Sequence, residues 1–504
     1  MLKSKEKIEK KKKVGPGRRG LQFAEPLLFE QSRKGRRADS LPKLDVKAQP
    51  MESLIPLTYL REEIAGFPEL SEPQVIRHFT RISQWNYGID LGMYPLGSCT
   101  MKYNPRLNEE IARLAGFCHL HPLTPEILSQ GALQLMWELE RYLSEITGME
   151  AVSLQPSAGA QGEFTGLKVI RRYHEQRGNP RKKVIVPDTA HGTNPASCTL
   201  SGYEVMEEPS GKQGILEAKR VAQRMDEEVA AVMLTNPNTL GLFEKEILEI
   251  AEIVHRKGGL VYCDGANMNA LLGVCKPGKM GVDLIQLNLH KTFSTPHGGG
   301  GPGSGPVAVK RKLEPYLPIP RVVKNRDRFQ LDSNSPQSVG RVRSFFGNFG
   351  MMVRAYAYIR ALGHEGLAQV GPLSVLNANY IRERLRPYYH LPYDYEPCMH
   401  ECVFTDKRQE AYGVTTLDIA KRLLDYGFHP PTIYFPLVVN GALMIEPTET
   451  ESLENIEEFI ETLIAIAEEA KSHSELVKEA PHNTKVRRLD EAKAARELKL
   501  RWES

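Results

Sequence analysis

Apolar positions in the middle of the chain fall into short unbroken runs, and amphipathic stretches separate them. From Glu244 to Lys257, Ile247, Ala251 and Val254 recur on one face at helical spacing, and Gly258-Gly259 ends the pattern. The run Leu260 to Cys263 follows at once and closes on Asp264. The same order appears upstream, where Ala151 to Leu154 leads into an amphipathic stretch through Leu167, Val169 and Ile170. Further apolar runs stand at Val184 to Val186, Ala230 to Thr235 and Val282 to Leu287. Continuous apolar strands alternating with helices predict a doubly wound α/β fold with a mostly parallel sheet. Ligands of such sheets sit outside the carboxyl ends of the strands.

The flanking regions differ in character. Residues 1–90 are rich in proline and charge and read as an N-terminal arm able to wrap a neighbour. Residues 91–312 read as the large α/β domain, and the polar, proline-rich residues 313–341 as a connection. A helix is expected to start at Val342 and to open a smaller α/β domain, 342–470. Phe345-Phe346 and the run Met351 to Ile359 are expected to pack internally and not to touch a ligand. Near its end, Leu453, Ile456, Phe459, Ile460, Leu463, Ile464 and Ala467 predict one apolar helix face. A charged tail, 471–504, carries Trp502.

Candidate chemistry gathers at the predicted strand ends. Asn288-Leu289-His290-Lys291-Thr292-Phe293-Ser294 follows one run and precedes a glycine-rich stretch from Gly298 to Gly305. A lysine delivered onto a small-residue turn, with Asp264 at the end of another strand, suits pyridoxal phosphate. That cofactor needs a lysine for covalent attachment and a carboxylate for its ring nitrogen. Taken singly, an Asp at a strand end is more often a helix cap or turn residue, and it is the pairing with Lys291 that favours the cofactor. The glycine run lacks the Gly-Lys-Ser/Thr ending of a P-loop, which weakens a nucleotide reading. Pro156-Ser157-Ala158-Gly159 opens a predicted helix, so it reads either as a phosphate cradle or as an ordinary N-cap. His191 lies in the loop Thr189 to Ser197, placed to stack on a cofactor ring or move protons. Asn236 to Gly241 forms another polar strand-end loop able to approach the same pocket.

Composition narrows the setting. The 504 residues hold 66 basic and 62 acidic side chains, a net charge of +4, so the body shows no nucleic-acid footprint. No apolar run approaches the ~18 residues of a membrane span. The seven cysteines are scattered, and Cys398 and Cys402 lack the second pair or histidine cluster of a zinc site. Reduced thiols in a cytoplasmic enzyme, with no metal, are the economical reading. Met1 to Gly20 contains Lys10 to Lys13 and Arg18-Arg19 and reads as a solvated tail, or else as a tether to an acidic partner. It lacks the apolar core of a secretory signal.

Five blocks in order carry a resemblance: Tyr94 to Lys102, Ser157 to Glu163, Ala190 to Pro195, Asn288 to Thr292 and Gly340 to Asn348. With them the chain resembles the P-protein family of the glycine cleavage system, glycine dehydrogenase (decarboxylating), in its bacterial two-subunit form. The resemblance runs from about Glu25 to Glu491, and the lysine-rich start departs from it. It implies an aminotransferase-like (fold type I) large domain and pyridoxal 5'-phosphate bound covalently at Lys291. It further implies that Asp264 pairs with the ring nitrogen and that His191 stacks on the ring. Ser157, Ala158, Gly159 and Thr292 would complete the cofactor contacts, with Lys291 and His191 the catalytic pair. The implied reaction is decarboxylation of glycine, with transfer of the remaining aminomethyl group to the lipoyl group of H-protein. A separate subunit 1 is the implied partner, in an α2β2 heterotetramer. Another pyridoxal-phosphate-dependent amino-acid lyase or transferase, or a noncatalytic subunit of the same fold, is the alternative.

Overall fold

The computed structural model describes residues 25–38, 42–61, 64 and 66–501. The lysine-rich stretch Met1 to Gly20 and Trp502 lie outside them. The chain divides into one unit up to Tyr87 and another from Gly88 onward. In the first, the helix Glu72–Ser83 opens on a capping box, in which Gln74 Oε1 accepts from the Ser71 N–H and hydroxyl. Glu25 fastens that helix through Arg81 Nη1 and His78 Nδ1, each at 3.0 Å.

The second unit is built on a seven-stranded sheet. Its strands are β1 (Ala151–Ser153), β2 (Lys183–Pro187), β3 (Glu204–Glu208), β4 (Val229–Thr235), β5 (Leu260–Gly265), β6 (Leu284–Leu287) and β7 (Val307–Val309). Their spatial order is β1-β7-β6-β5-β4-β2-β3. β2 to β6 run parallel, and β7 is antiparallel to both its neighbours. Every residue of β4 and β5 is buried. Val232, Leu234, Val261 and Cys263 enter the core on one face of the sheet, and Ala231, Met233, Leu260 and Tyr262 enter the core on the other. Two apolar faces explain why these strands show no alternation in sequence.

A hairpin of β8 (Arg321–Asn325) and β9 (Arg328–Asp332) occupies the stretch expected to be a plain connection. It docks on the helix Gln130–Thr147: Gln130 donates to and accepts from the Phe329 backbone at 2.8 and 2.9 Å, and Phe329 meets Trp137. These contacts lie about 200 residues apart in sequence, so local pattern carried no sign of them. The helix expected from Val342 begins instead at Phe349. Phe345 and Gly347 hold φ of +61° and +98°, and a Cβ on Gly347 would lie 2.6 Å from the Leu154 carbonyl oxygen. The chain therefore bends tightly around the end of β1 before it can coil.

That helical stretch, Phe349–Leu385, is broken at Gly363 (φ +61°). Its first part gives Met352, Val353 and Tyr358 to the large core. Its second part gives Ala378, Ile381 and Leu385 to a smaller core. The latter covers a three-stranded antiparallel sheet in the order β10 (Cys402–Thr405), β12 (Ala442–Ile445), β11 (Thr432–Ile433). The helix Leu453–Ser472 packs there through Ile456, Phe459, Ile460, Leu463, Ile466 and Ala467. Leu453 is 59% exposed, contrary to expectation, and Ile466 takes an inward position. The stripe set by Ile456 and Phe459 reaches Ile466 at helical spacing, whereas Leu453 stands at the first helical position, beyond the packed face. Phe459 is wholly buried. Phe459→Ala is expected to cost about 3–5 kcal/mol in urea unfolding followed by circular dichroism.

Candidate functional site

Strand ends assemble the site along one edge of the large sheet. Asp264 stands at the end of β5, opposite Thr235 of β4 and Gln286 of β6. The chain leaves β6 at Leu287 and reaches Lys291 within one turn, whose Lys291 N–H donates to the Asn288 carbonyl at 3.0 Å. β2 ends at Pro187 shortly before His191, and β1 ends at Ser153 shortly before Ser157.

Asp264 is 1% exposed. Its Oδ1 accepts from the Ala266 N–H at 2.9 Å and from the Gln286 amide, and its Oδ2 accepts from Asn194 Nδ2 at 2.9 Å. A carboxylate offers about four acceptor positions, so one on Oδ2 stays available. Beside it lies Glu163, whose oxygens accept from Thr193 Oγ1 at 2.8 Å and Ser197 Oγ at 3.0 Å. Burial first, and the Asp264 charge second, raise the Glu163 carboxyl to about 7.

His191 and Lys291 meet at one residue. Lys291 Nζ donates to the Ser98 carbonyl at 2.8 Å, and Ser98 Oγ lies 3.0 Å from His191 Nδ1. Burial draws the His191 imidazole down to about 4; Asp264 opposes this fall and Lys291 adds to it. The ring is therefore neutral at physiological pH and faces Phe435 almost in parallel, with centroids 6.1 Å apart. Thr292 is buried, and its carbonyl accepts from Lys102 Nζ at 2.8 Å.

Ser157, Ala158 and Gly159 open the helix Gly159–Gln176, and no side chain caps it. The Ser157 hydroxyl and N–H both donate to Gln161 Oε1 at 2.7 Å, so the hydroxyl is engaged within its own turn. The turn lies against the lysine-bearing segment with no room for a side chain. A Cβ on Gly159 would fall 2.2 Å from Asn288 Oδ1, and one on Gly305 would fall 2.0 Å from the Ala158 carbonyl oxygen. Lys291, His191, Asp264 and the Ser157 turn thus share one edge. Thr292 joins them as the neighbour of Lys291.

Sequence reading did not single out Ser98, Asn194, Gln286 or Glu401 as site residues. Gln286 faces Asp264 by strand register, and Asn194 stands three residues from His191, so both were within reach of the pattern. Ser98 lies inside a quoted block. Glu401, whose Oε2 accepts from the Ser98 N–H at 2.8 Å, comes from just before β10 and carried no local signal.

The family description "Glycine cleavage system P-protein" matches residues 46–329, and "Glycine dehydrogenase, C-terminal domain" matches 371–488. The chain belongs to the glycine cleavage system P-protein family. One relative, probable glycine dehydrogenase (decarboxylating) subunit 2 of Caldanaerobacter subterraneus subsp. tengcongensis, is 57% identical over 477 residues, covering 94% of this chain and 98% of the relative. The protein of the same name from Halalkalibacterium halodurans is 58% identical over 478 residues, covering 95% and 98%. A crystal structure of glycine decarboxylase (P-protein) in inhibitor-bound form superposes with a TM-score of 0.70 at 23% identity, over 82% of this chain and 94% of that one. A cysteine desulfurase of Escherichia coli follows at 0.58 and 15%, over 77% and 97%. The fold is the aminotransferase-like α/β class expected from the sequence. No helix among the described residues is long and apolar enough to cross a membrane.

The neutral state of His191 can be observed directly. In protein labelled at the histidine rings, its NMR signals are expected to titrate near pH 4 and not near the ordinary value of about 6.5. Titration at the ordinary value would mean that the ring is hydrated.

Proposed function

We propose that this chain decarboxylates glycine with pyridoxal 5'-phosphate held covalently at Lys291, and passes the aminomethyl group to the lipoyl group of H-protein. The observation that carries the reading is family membership over nearly the whole length, joined to the convergence of Lys291, Asp264 and His191 on one sheet edge. The names of the relatives support a second, separate subunit as partner, and the proposal extends to an α2β2 assembly in the cytoplasm. Residues 91–312 then form the cofactor-binding lobe, joined by the helix from Phe349 up to Gly363, and the rest of 342–470 forms the smaller lobe. Residues 1–90 serve as the arm, 313–341 connect the lobes and carry the docked hairpin, and 471–504 form a charged tail whose start packs Val477 into the smaller core.

The residues present fit the cofactor. Asp264 keeps one acceptor position for a ring N–H, and its anionic charge favours the protonated ring nitrogen. Asn288 Oδ1 and Gln286 Oε1 are buried there without a protein partner, as expected of a polar site shaped for a ligand. The opening turn of Gly159–Gln176 presents unpaired N–H groups to a phosphate, and backbone does this work, since the Ser157 hydroxyl is engaged by Gln161.

When bound, the cofactor supplies an electron sink for the pair released as carbon dioxide leaves. The chain provides the rest. Asp264 would keep the ring nitrogen protonated, and a positive ring takes up the released electron pair more readily, so the effect of Asp264 falls on the rate more than on binding. His191, neutral at physiological pH, is able to lie flat on an electron-poor ring without adding charge, and to accept a proton. The released Lys291 amine is the other candidate for proton transfer.

Lys291→Ala is expected to lose both the visible band of the lysine-bound cofactor and the exchange of 14C-bicarbonate into glycine in the presence of H-protein. Asp264→Asn is expected to retain the cofactor and to lose about 10²–10³ in exchange rate. Undiminished exchange in Lys291→Ala would refute the assignment. A band without any exchange in the assembled wild-type enzyme would favour another lyase, a transferase or a noncatalytic subunit.

A further inference from the structure

Ser98 is gripped at three atoms. Its carbonyl oxygen accepts from Lys291 Nζ at 2.8 Å, its hydroxyl lies 3.0 Å from His191 Nδ1, and its N–H donates to Glu401 Oε2 at 2.8 Å. Two residues on, Thr100 donates its N–H to Glu446 Oε2 at 2.9 Å and its hydroxyl to Oε1 at 2.5 Å. Ser98 and Thr100 have φ of +65° and +47°, a region that residues with a Cβ enter only at a cost. Surrounding contacts therefore impose this backbone, and the two carboxylates are the strongest of them.

Both carboxylates belong to the small sheet. Glu401 directly precedes β10 and Glu446 directly follows β12. Glu401 is wholly buried and Glu446 is 1% exposed. The preceding residue is fixed from the same side: the Gly97 N–H donates to the Met444 carbonyl at 3.3 Å, and Thr432 Oγ1 donates to the Gly97 carbonyl at 2.7 Å. Glu401 has a second donor in Asn267 Nδ2 at 3.3 Å. The result is a loop with no freedom to turn the Ser98 carbonyl away from the lysine.

A lysine that alternates between a covalent bond and a free amine needs an acceptor for its free state, because an unpaired ammonium in a closed site is costly. We propose that Ser98 is a positioning residue whose carbonyl oxygen receives the Lys291 amine whenever that amine is not bonded to the cofactor, and that Glu401 aims this carbonyl through the Ser98 N–H. The proposal rests on Lys291 being the cofactor-bearing lysine. Neither Ser98 nor Glu401 makes or breaks a bond; they set where the amine waits and from where it returns. Glu401→Ala removes the acceptor of the Ser98 N–H and lets the strained φ relax. Glu401→Gln keeps an acceptor oxygen at the same reach. Glu401→Asp withdraws it by one methylene.

The test uses the full-length chain assembled with its partner subunit and freed of cofactor. Lys291 is labelled with an amine-acylating reagent and its modification rate is followed by peptide mapping. In parallel, pyridoxal phosphate is added and fixed with borohydride to verify its attachment at Lys291. Glu401→Ala is expected to raise the acylation rate of Lys291 about tenfold, the size of effect one lost hydrogen bond produces. Glu401→Asp should fall in between, and Glu401→Gln should stay close to wild type. In the cofactor-loaded variants, kcat should fall in the same order while KM for glycine holds. Wild-type acylation rates in Glu401→Ala, with fixation at Lys291 intact, would overturn the positioning role. Absence of fixation in the wild type would overturn the cofactor reading instead. If the alanine variant does not fold, Glu401→Asp decides by the same criterion.

Discussion

An anion buried at the edge of a parallel sheet is tolerable only when donors fill its acceptor positions, and Asp264 imposes that condition on the surrounding fold. Leaving a buried carboxylate short of partners costs several kcal/mol. Its donors come from three places: its own turn (Ala266), the adjacent strand (Gln286) and the helix after β2 (Asn194). A one-residue slip of β6 against β5 would swing Gln286 to the opposite face and take its amide away. Strand register, the docking of the helix Thr193–Leu200 and the charge at the ligand edge are therefore one linked problem. The remaining acceptor position on Oδ2 is what the solution leaves over for chemistry.

The second constraint is steric. The turn at Ser157 and the segment around Lys291 approach so closely that Gly159 and Gly305 have no space for even a methyl group. With side chains there, the two segments would stand apart, and the helix N-terminus would no longer face the same volume as the lysine. Glycine here supplies close backbone approach, since neither Gly159 nor Gly305 has a positive φ. Proximity of the helix start to Lys291 is what allows one small ligand to be held at both its anionic and its reactive ends.

Much of this was legible from the chain alone, and the reasons are local. β4 and β5 are apolar on both faces, so their runs announce a buried parallel sheet, and Asp264 stands where such a strand ends. Lys291 and the glycine-rich segment advertise close packing by composition. Other features are settled by partners far away in sequence. The hairpin Arg321–Asp332 holds to Gln130 and Trp137, and no pattern in its own residues distinguishes it from a loop. Leu453 shares helical spacing with Ile456 and Ile460 but stands beyond the packed face. The Ser157 hydroxyl looked like a ligand until Gln161, four residues on, was seen to hold it. Glu401 was invisible because its importance arises only where the small sheet meets the Ser98 loop.

That meeting place makes the chemistry conditional on the arrangement of the two sheets. Positive φ at Ser98 and Thr100 stores about 1–3 kcal/mol per residue. Hydrogen bonds return about 0.5–1.5 kcal/mol each to a neutral acid and about 1.5–3 kcal/mol to a charged one, and Thr100 makes two of them to Glu446. The two quantities are of similar size, so the loop keeps its shape only while both carboxylates stay in place. Burial raises both carboxyls, Glu401 well above the usual range, and the Glu446 charge raises Glu401 further. The Lys291 amine is thereby tied, through one serine, to the packing of a sheet that contributes neither Asp264, His191 nor the lysine itself.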